Sequence, residues 1–468
     1  MSKVVGSIRE AIIASGLKDG MTVSFHHHLR SGDYVLNMVM EEIAKLGIKD
    51  LTVNASSVHD GHTPLIEHMK NGVVTGLETD YIGPAVGKAI SEGVLKNPVI
   101  FRSHGGRPSA LETGKSKIDV AFIAAPTSDT MGNCTGKIGK SACGSLGYAF
   151  VDAECAKKTV VITDNLVPYP LTDYSIDEIN VDYVVEVDAI GDPKGIVSGT
   201  TRMPKDPVAL KIADLAAKAI DASGLLKDGI SFQTGAGGAS LATADFLKNI
   251  MIKKNIKGSF ALGGITGYIV DMLEAGLFQA IQDVQCFDLK AVESLRTNPK
   301  HQEITASHYA SPTAKSTAAG SLDVVVLGAT QIDLDFNVNV HTDSKGYIIG
   351  GSGGHTDVAE CAKLTLIVAP LSRARMPIVV DKVLTVSTPG SSIDLLVTQY
   401  GIAVNPARPE LKEQLIKAKL PVKDIQELKT IADQINGTPG TVEIKKERVV
   451  AKVLNRDDSL LDVIYQVS

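Results

Sequence analysis

Tryptophan is absent, and aromatic residues make up only 4% of the 468 positions, so stacked rings cannot supply the core. It must come from the aliphatic side chains that bring the hydrophobic fraction to 44%, the composition of buried parallel strands rather than of a β-sandwich. A basic excess is also missing. Lys and Arg number 47 against 53 Asp and Glu, a net charge of −6, which leaves no broad cationic face and argues against nucleic acid as a partner. The five cysteines (Cys134, Cys143, Cys155, Cys286, Cys361) are odd in number and contain no C-x-x-C pair. That excludes the usual zinc and redox spacings and points to a reducing compartment, so no metal site is expected. No apolar run approaches the ~18 residues of a membrane span. The opening MSKVVGSIREAIIASGLKDG reads as a short amphipathic helix without the apolar stretch of a signal peptide. The expectation is a soluble cytoplasmic chain with no membrane partner. Neither G-x-S-x-G nor H-E-x-x-H occurs, which removes local support for a serine hydrolase or a zinc protease.

The length is about three times the ~150-residue prior for one domain, so two or three cores are expected. Short Val/Ile-rich runs (residues 51–54, 99–102, 120–124, 159–163, 183–187, 230–233, 260–262, 324–327 and 365–368) read as strands. Between them, residues 34–46, 207–222, 239–252 and 267–275 carry helical periodicity. Alternation of this kind predicts an α/β fold with mostly parallel sheets and crossover helices. An internal repeat sharpens it. DVAFIAAPTSDTMGNCT from Asp119 and DVVVLGATQIDLDFNVN from Asp323 keep Asp119/Asp323, Asp129/Asp333 and Asn133/Asn337 in register at a constant offset of 204 residues. GLKDGMTVSF and LLKDGISFQT match at nearly the same spacing. The reading is two homologous α/β domains, 1–203 and 204–468, joined around GIVSGTTRMPKDP, with the active site in the cleft between them. Two amphipathic helices and a closing hairpin around Asn455–Ser459 finish the second.

Four glycine-rich segments follow strands: FRSHGGRP, FQTGAGGAS, FALGGITG and IIGGSGGHTD. Glycine lets backbone approach a ligand, and the N–H groups opening a following helix suit a phosphate, a carboxylate or a developing oxyanion. GAGGAS carries Ser240 where the dinucleotide fingerprint needs its last glycine, and GKS at Gly139–Ser141 lacks the first glycine of a phosphate loop, so neither nucleotide signature holds. Consecutive His26, His27 and His28 cannot all face one metal from a strand, because neighbours point to opposite faces. With Arg30 they form one cationic cluster, and His104 with Arg107 forms a second. Two separate clusters suit a polycarboxylate, which points to His27, Arg30, His104 and Arg107 as carboxylate-binding residues. His59, His62 and His68 have no metal-ligand spacing and read as structural.

The segments KDGMTVSFHHHLRSGDYVLNMVMEEIAKLGIKDL, NPVIFRSHGGRPSA, CGSLGYAFVDA, ITDNLVPYP, SFQTGAGGASLA, QIDLDFNVNV, GGSGGH, TPGSSIDLLV and YGIAVNP, in this order, resemble the coenzyme A transferases, and among them the alpha subunits of bacterial citrate lyase. The resemblance implies a thioester exchange: acetate on the arm of an acyl carrier protein is replaced by citrate, and a separate subunit then cleaves the citryl group. It implies two partner subunits, the acyl carrier protein (gamma) and the lyase (beta), in an oligomeric complex. It also implies that no cofactor is bound directly, the phosphoribosyl-dephospho-CoA arm being carried by the carrier protein. On this reading Gly353 and Gly354 donate to the reacting oxygen, while Gly235, Gly237, Gly238, Gly263, Gly264 and Gly351 hold the thioester arm. One position departs from the wider family. A nucleophilic Glu stands before the I-D-L stretch in related transferases, and here it is Gln331. An amide cannot form an acyl anhydride, so direct attack of citrate on the thioester, with Gln331 as a catalytic hydrogen-bond donor, is the expectation. The family's T-E-x-G likewise reads Thr398-Gln399-Tyr400-Gly401. Two alternatives stay open: the same exchange on citramalate or another hydroxy acid, and a scaffold subunit with weakened chemistry.

Overall fold

The computed structural model describes residues 3–197, 204–235, 238–437, 444 and 446–467. Its core is two large, mostly parallel sheets, one from each half of the chain. The first runs Val4–Val5, Tyr183–Glu186, Lys158–Thr163, Val120–Ala125, Thr22–Phe25, Leu51–Ala55, Val74–Thr79, Val99–Phe101. The second runs His301–Glu303, Phe278–Cys286, Gly258–Ile265, Phe232–Thr234, Val324–Leu327, Leu364–Val368, Leu395–Thr398, then Gly401–Val404 and Val422–Lys423. Counted outward from Thr22–Phe25 and from Phe232–Thr234, the two sheets take their strands in the same sequence order, so the repeat is a repeat of topology.

The residues that carry the repeat turn out to be scaffold. Asp119 accepts the N–H of Thr22 at 2.9 Å and pairs with Lys157 at 2.7 Å, while Asp323 accepts Ser231 N–H at 2.8 Å and pairs with Lys363 at 2.7 Å. Each ties one central strand to the start of its neighbour. Asp129 with Asn133, and Asp333 with Asn337, close equivalent turns in which the carboxylate accepts backbone N–H groups two to four residues on. The unbroken apolar runs have the cause expected of them: all six residues of Val120–Ala125 and all five of Leu364–Val368 are buried, because helices cover both faces.

Two expectations change. The closing hairpin, Val449–Leu454 with Leu460–Tyr465, does not complete the second sheet; it pairs in parallel with Val99–Phe101 and covers the edge of the first. A boundary drawn at 203/204 therefore assigns to the second domain a hairpin that belongs to the first sheet. The junction itself, 198–203, lies outside the described residues, and the second half opens with helix Pro207–Ala222, capped by the Asp206 carboxylate. In FALGGITG, Gly263 and Gly264 lie inside strand Gly258–Ile265, at a register shift, and not in a loop after it.

Candidate functional site

The chain leaves strand Thr22–Phe25 at His26, so the three histidines occupy a turn facing the second half of the molecule. Ala124 N–H donates to His26 Nε2 at 2.9 Å, and His26 Nδ1 lies 2.5 Å from Nδ1 of His28. His27 is spanned on both sides. The Gln285 side-chain N–H donates to the His27 carbonyl at 3.1 Å, which orients the amide and aims its oxygen at His27 Nε2, 3.0 Å away. Nε2 therefore carries the proton, and the Ser56 hydroxyl donates to Nδ1 at 2.7 Å. Burial, reinforced by the neighbouring histidines and Arg30, holds His27 well below the usual histidine pKa, so it is neutral. It joins the two halves and presents a ring face, not a free nitrogen; Tyr148 lies against that ring at 4.7 Å.

Arg30 has no acidic partner among the described residues. It adopts a left-handed backbone, φ 51°, and its guanidinium lies over the Phe287 ring, 4.8 Å from the centroid. That ring is admitted by Gly264, where a Cβ would sit 2.1 Å from it. Among the described residues Arg30 makes one long hydrogen bond, 3.4 Å to the Ile196 carbonyl, and no ion pair. Burial lowers its pKa, opposed by Tyr81 and Tyr148 nearby, and the side chain stays charged. His59, neutral for the same reason of burial, packs between His27 and Tyr81. A half-buried guanidinium without a carboxylate among the described residues is favoured by an anion that completes it.

Arg107 has the opposite surroundings, and the expectation that it grips a ligand gives way. Both ends of its guanidinium bind Asp152, at 2.7 and 3.1 Å, and its Nε donates to Asn54 Oδ1 at 2.8 Å. No edge is left for a ligand.

His104 donates from Nδ1 to Asp80, whose other oxygen accepts the Ser57 hydroxyl at 2.7 Å. Its ring packs at a tilt against Tyr148, 4.5 Å between centroids, and its Nε2 makes no hydrogen bond among the described residues. The Gly350–Gly354 turn, from the second half, docks directly on this pair. His104 N–H donates to the Gly353 carbonyl at 2.9 Å, and Gly353 N–H to the Asp80 carbonyl at 3.3 Å. Gly351 permits this approach, since a Cβ there would lie 2.0 Å from the Asp80 oxygen. At Gly353, φ 52°, a Cβ would come 3.3 Å from His104 Nε2. At Gly354 it would come 2.4 Å from the Tyr309 hydroxyl, which accepts the Gln233 side-chain N–H at 3.0 Å; Gln233 in turn packs on Gly263. His27, Arg30, His104, Gly351, Gly353 and Gly354 thus meet across the two halves, whereas Gly263 and Gly264 act by making room for Gln233 and Phe287.

Gln331 opens strand Gln331–Asp333, buried, its oxygen accepting the Asn339 amide at 3.3 Å while its Nε2 makes no hydrogen bond among the described residues. Gly235 donates its N–H to Val326 at 2.7 Å, and Gly238 opens helix Gly238–Lys254. Gly237 lies outside the described residues. Gly238 and Ser240 line a cavity of about 460 Å³ with Gly328, Arg373 and Gln399. Gly328 connects it to the glycine turn, because its carbonyl accepts His355 Nε2–H at 3.0 Å just after Gly354. Among the described residues no three His, Cys, Asp or Glu side chains gather as metal ligands, and no helix is long and apolar enough to cross a membrane.

The sequence reading missed Asp80, Tyr148, Tyr309, Gln233 and Gln285. Gln233 and Tyr148 lie within FQTGAGGAS and CGSLGYAFVDA without standing out there, whereas Asp80, Gln285 and Tyr309 sit in no motif and are brought in from the end of strand Val74–Thr79, from strand Phe278–Cys286 and from helix Ala306–Ala310.

The family described as citrate lyase, alpha subunit (CitF), matches residues 1–467. The citrate lyase alpha chains of Haemophilus influenzae and Escherichia coli are each 50% identical over 99% of this chain and 93% and 91% of their own. A Streptococcus mutans structure assigned as a citrate lyase alpha subunit, in complex with citrate, superposes with a TM-score of 0.98 at 53% identity, covering 100% of this chain and 92% of that one. A Pseudomonas malonate decarboxylase hetero-tetramer chain, at 16% identity and a TM-score of 0.68 over 94% of this chain and 88% of its own, shares the fold.

Proposed function

Because the chain belongs to the family of citrate lyase alpha subunits, we propose that it exchanges acetate for citrate on the thioester of an acyl carrier protein, giving citryl-carrier and free acetate. The observation that carries this is Arg30: a half-buried guanidinium without a carboxylate partner among the described residues, close to neutral His27 and His59 and to Tyr81 and Tyr148. A small polycarboxylate completes that charge, and the Streptococcus mutans relative is a complex with citrate. In this reading Arg30 orients the acid, turning an encounter into a near-attack geometry. The carrier's arm enters through the cavity beside Gly238, Gly328 and Gln399. The Gly353 N–H is taken by the Asp80 carbonyl, so the Gly354 N–H is the donor this turn offers to the oxygen on which charge develops, help whose loss typically costs about 100- to 1000-fold.

The step is direct. A citrate carboxylate attacks the acetyl carbonyl, the sulfur leaves, and the mixed anhydride is opened by the returning sulfur to release acetate. Gln331 supports this order of events, because its amide cannot become an acyl anhydride, whereas its unpaired Nε2 can donate to a carboxylate oxygen. The chain brings no cofactor of its own; the arm arrives on the carrier protein, and a separate lyase subunit consumes the product. Citrate-dependent release of acetate from an acetylated carrier protein by the purified chain, with citramalate and acetate as comparison acceptors, tests the reading. Release with citrate above both others is the expected result, and no release with any acid refutes it.

A further inference from the structure

Among the described residues two of the imidazoles gathered at the site have a nitrogen without a hydrogen bond, His59 and His104, and that of His59 is sealed off. His27 is bonded through both nitrogens, to Ser56 and Gln285. His28 contacts His26 with one and the Tyr148 N–H with the other. His59 accepts the His62 N–H as a helix cap, and its remaining nitrogen is enclosed. His104 differs. Its Nδ1 is anchored on Asp80, itself fixed by Ser57 and almost fully buried, and its Nε2 is unbonded beside the Gly353 turn, on a side chain 14% exposed. A carboxylate behind an imidazole fixes the tautomer and favours the imidazolium, the arrangement that lets the far nitrogen carry a proton.

We propose that Asp80 and His104 hold the proton for the sulfur of the carrier arm. This rests on the exchange reading above and adds a residue to it. When the citrate carboxylate has attacked the acetyl carbonyl, the C–S bond breaks and the electron pair stays on sulfur. His104, charged, gives its Nε2 proton to that sulfur and becomes neutral. On return, the thiol passes the same proton back to Nε2 as sulfur bonds to the citryl carbonyl and the C–O bond to acetate breaks. Protons and charge balance over the cycle with no added reagent. His104 is the catalytic residue and Asp80 its positioning residue. Around the ring stand Asp80 at Nδ1, Tyr148 and His27 on its faces, Tyr309 at its edge, and His28 and Asp357 further out, the last with its carboxylate occupied by Ser103 and Gly105. Asp80 is thus the carboxylate in contact with the imidazole.

Acetate release from acetylated carrier protein, measured from pH 5.5 to 9 with wild type, His104→Gln and Asp80→Asn, reads this out. Wild-type kcat should decline as pH rises. His104→Gln should lower kcat roughly 100-fold and abolish that decline, while the citrate KM stays within about threefold. Asp80→Asn, which removes the anchoring charge, should move the decline to lower pH. Thermal melts and citrate binding by calorimetry establish that both variants are folded. A His104→Gln enzyme that keeps its kcat, or loses only citrate KM, overturns the proposal and returns His104 to carboxylate binding. Persistence of the same pH decline in His104→Gln also overturns it. A wild type that releases no acetate removes the exchange reading as well.

Discussion

Arg107 and Asp152 form a closed pair, two hydrogen bonds of 2.7 and 3.1 Å between side chains that are 5% and 1% exposed. Breaking such a pair by removing one partner leaves a buried charge, which typically costs about 3–5 kcal/mol. Arg107→Met should therefore lower stability by that amount and leave the citrate affinity of the folded fraction unchanged. Arg30→Gln should do the reverse. It loses charge-assisted hydrogen bonds of ~1.5–3 kcal/mol to a ligand carboxylate, about 10- to 100-fold in affinity, with little change in unfolding. Urea denaturation and citrate calorimetry on both variants check the contrast; equal losses of affinity would mean that Arg107 is not confined to its structural pair.

Buried histidines make the fold sensitive to acid. Burial pulls His341 down to about 3 and His355 down to about 4, against 6.5 for the ordinary side chain. Above pH 6.5 both are neutral, folded or unfolded, and contribute no pH dependence. Below it the unfolded chain takes up protons that the folded chain refuses, so stability falls as pH falls, down to about 4 for His355 and about 3 for His341. The slope is about 1.4 kcal/mol per pH unit for each. Urea midpoints at pH 7, 6 and 5 should descend, and His341→Asn should make the descent shallower by one histidine's share. An unchanged slope in that variant would contradict the assignment.

The alternation of strands and helices, the parallel sheets and the kinship of the two halves were legible in the aliphatic runs and the repeat at constant offset, whereas the order of strands within each sheet, set by contacts between distant segments, was not. The residues of that repeat were readable as equivalent but not as scaffold, since Asp119 and Asp323 look no different in sequence from catalytic carboxylates until Thr22 and Ser231 are seen donating to them. The hairpin after Val449 was recognised as a hairpin, yet its partner strand, Val99–Phe101, lies some 350 residues away, and pairing at that range leaves no local trace. Arg30 and Arg107 looked alike for a similar reason. What separates them is Asp152, 45 positions along the chain, and Phe287, placed by Gly264 in the other half. The histidine turn was found by its composition; Gln285, which fixes the His27 tautomer from 258 residues away, was not.

Gly354 and Tyr309 should be energetically coupled. A Cβ at 354 meets the Tyr309 hydroxyl at 2.4 Å, so Gly354→Ala must displace it and deprive Gln233 of its acceptor. Removing the hydroxyl with Tyr309→Phe gives back part of that space. The double variant should therefore be less impaired than the sum of the singles, with an interaction term of about 0.5–3 kcal/mol in stability. Strict additivity in a double-mutant cycle would show that Tyr309 is not what Gly354 accommodates.

In the proposed exchange, position 331 separates direct attack from a covalent enzyme intermediate. Its side chain is buried, with the Asn339 amide 3.3 Å from its oxygen, so a carboxylate placed there by Gln331→Glu keeps that acceptor contact but loses the Nε2 donor and adds a charge next to the incoming acid. Repulsion between like charges disfavours citrate binding at the same point where a donor is lost. The variant should exchange more slowly than wild type, by about tenfold or more, the size of one charge-assisted hydrogen bond. Intact-mass spectrometry during turnover should find no acyl or thioester adduct on the wild-type chain, since an amide offers no leaving carboxylate to hold one. A Gln331→Glu enzyme that instead gains rate, together with a mass increment matching a glutamyl thioester, would mean that the glutamyl route is still built into the surrounding site and that glutamine at 331 only interrupts it.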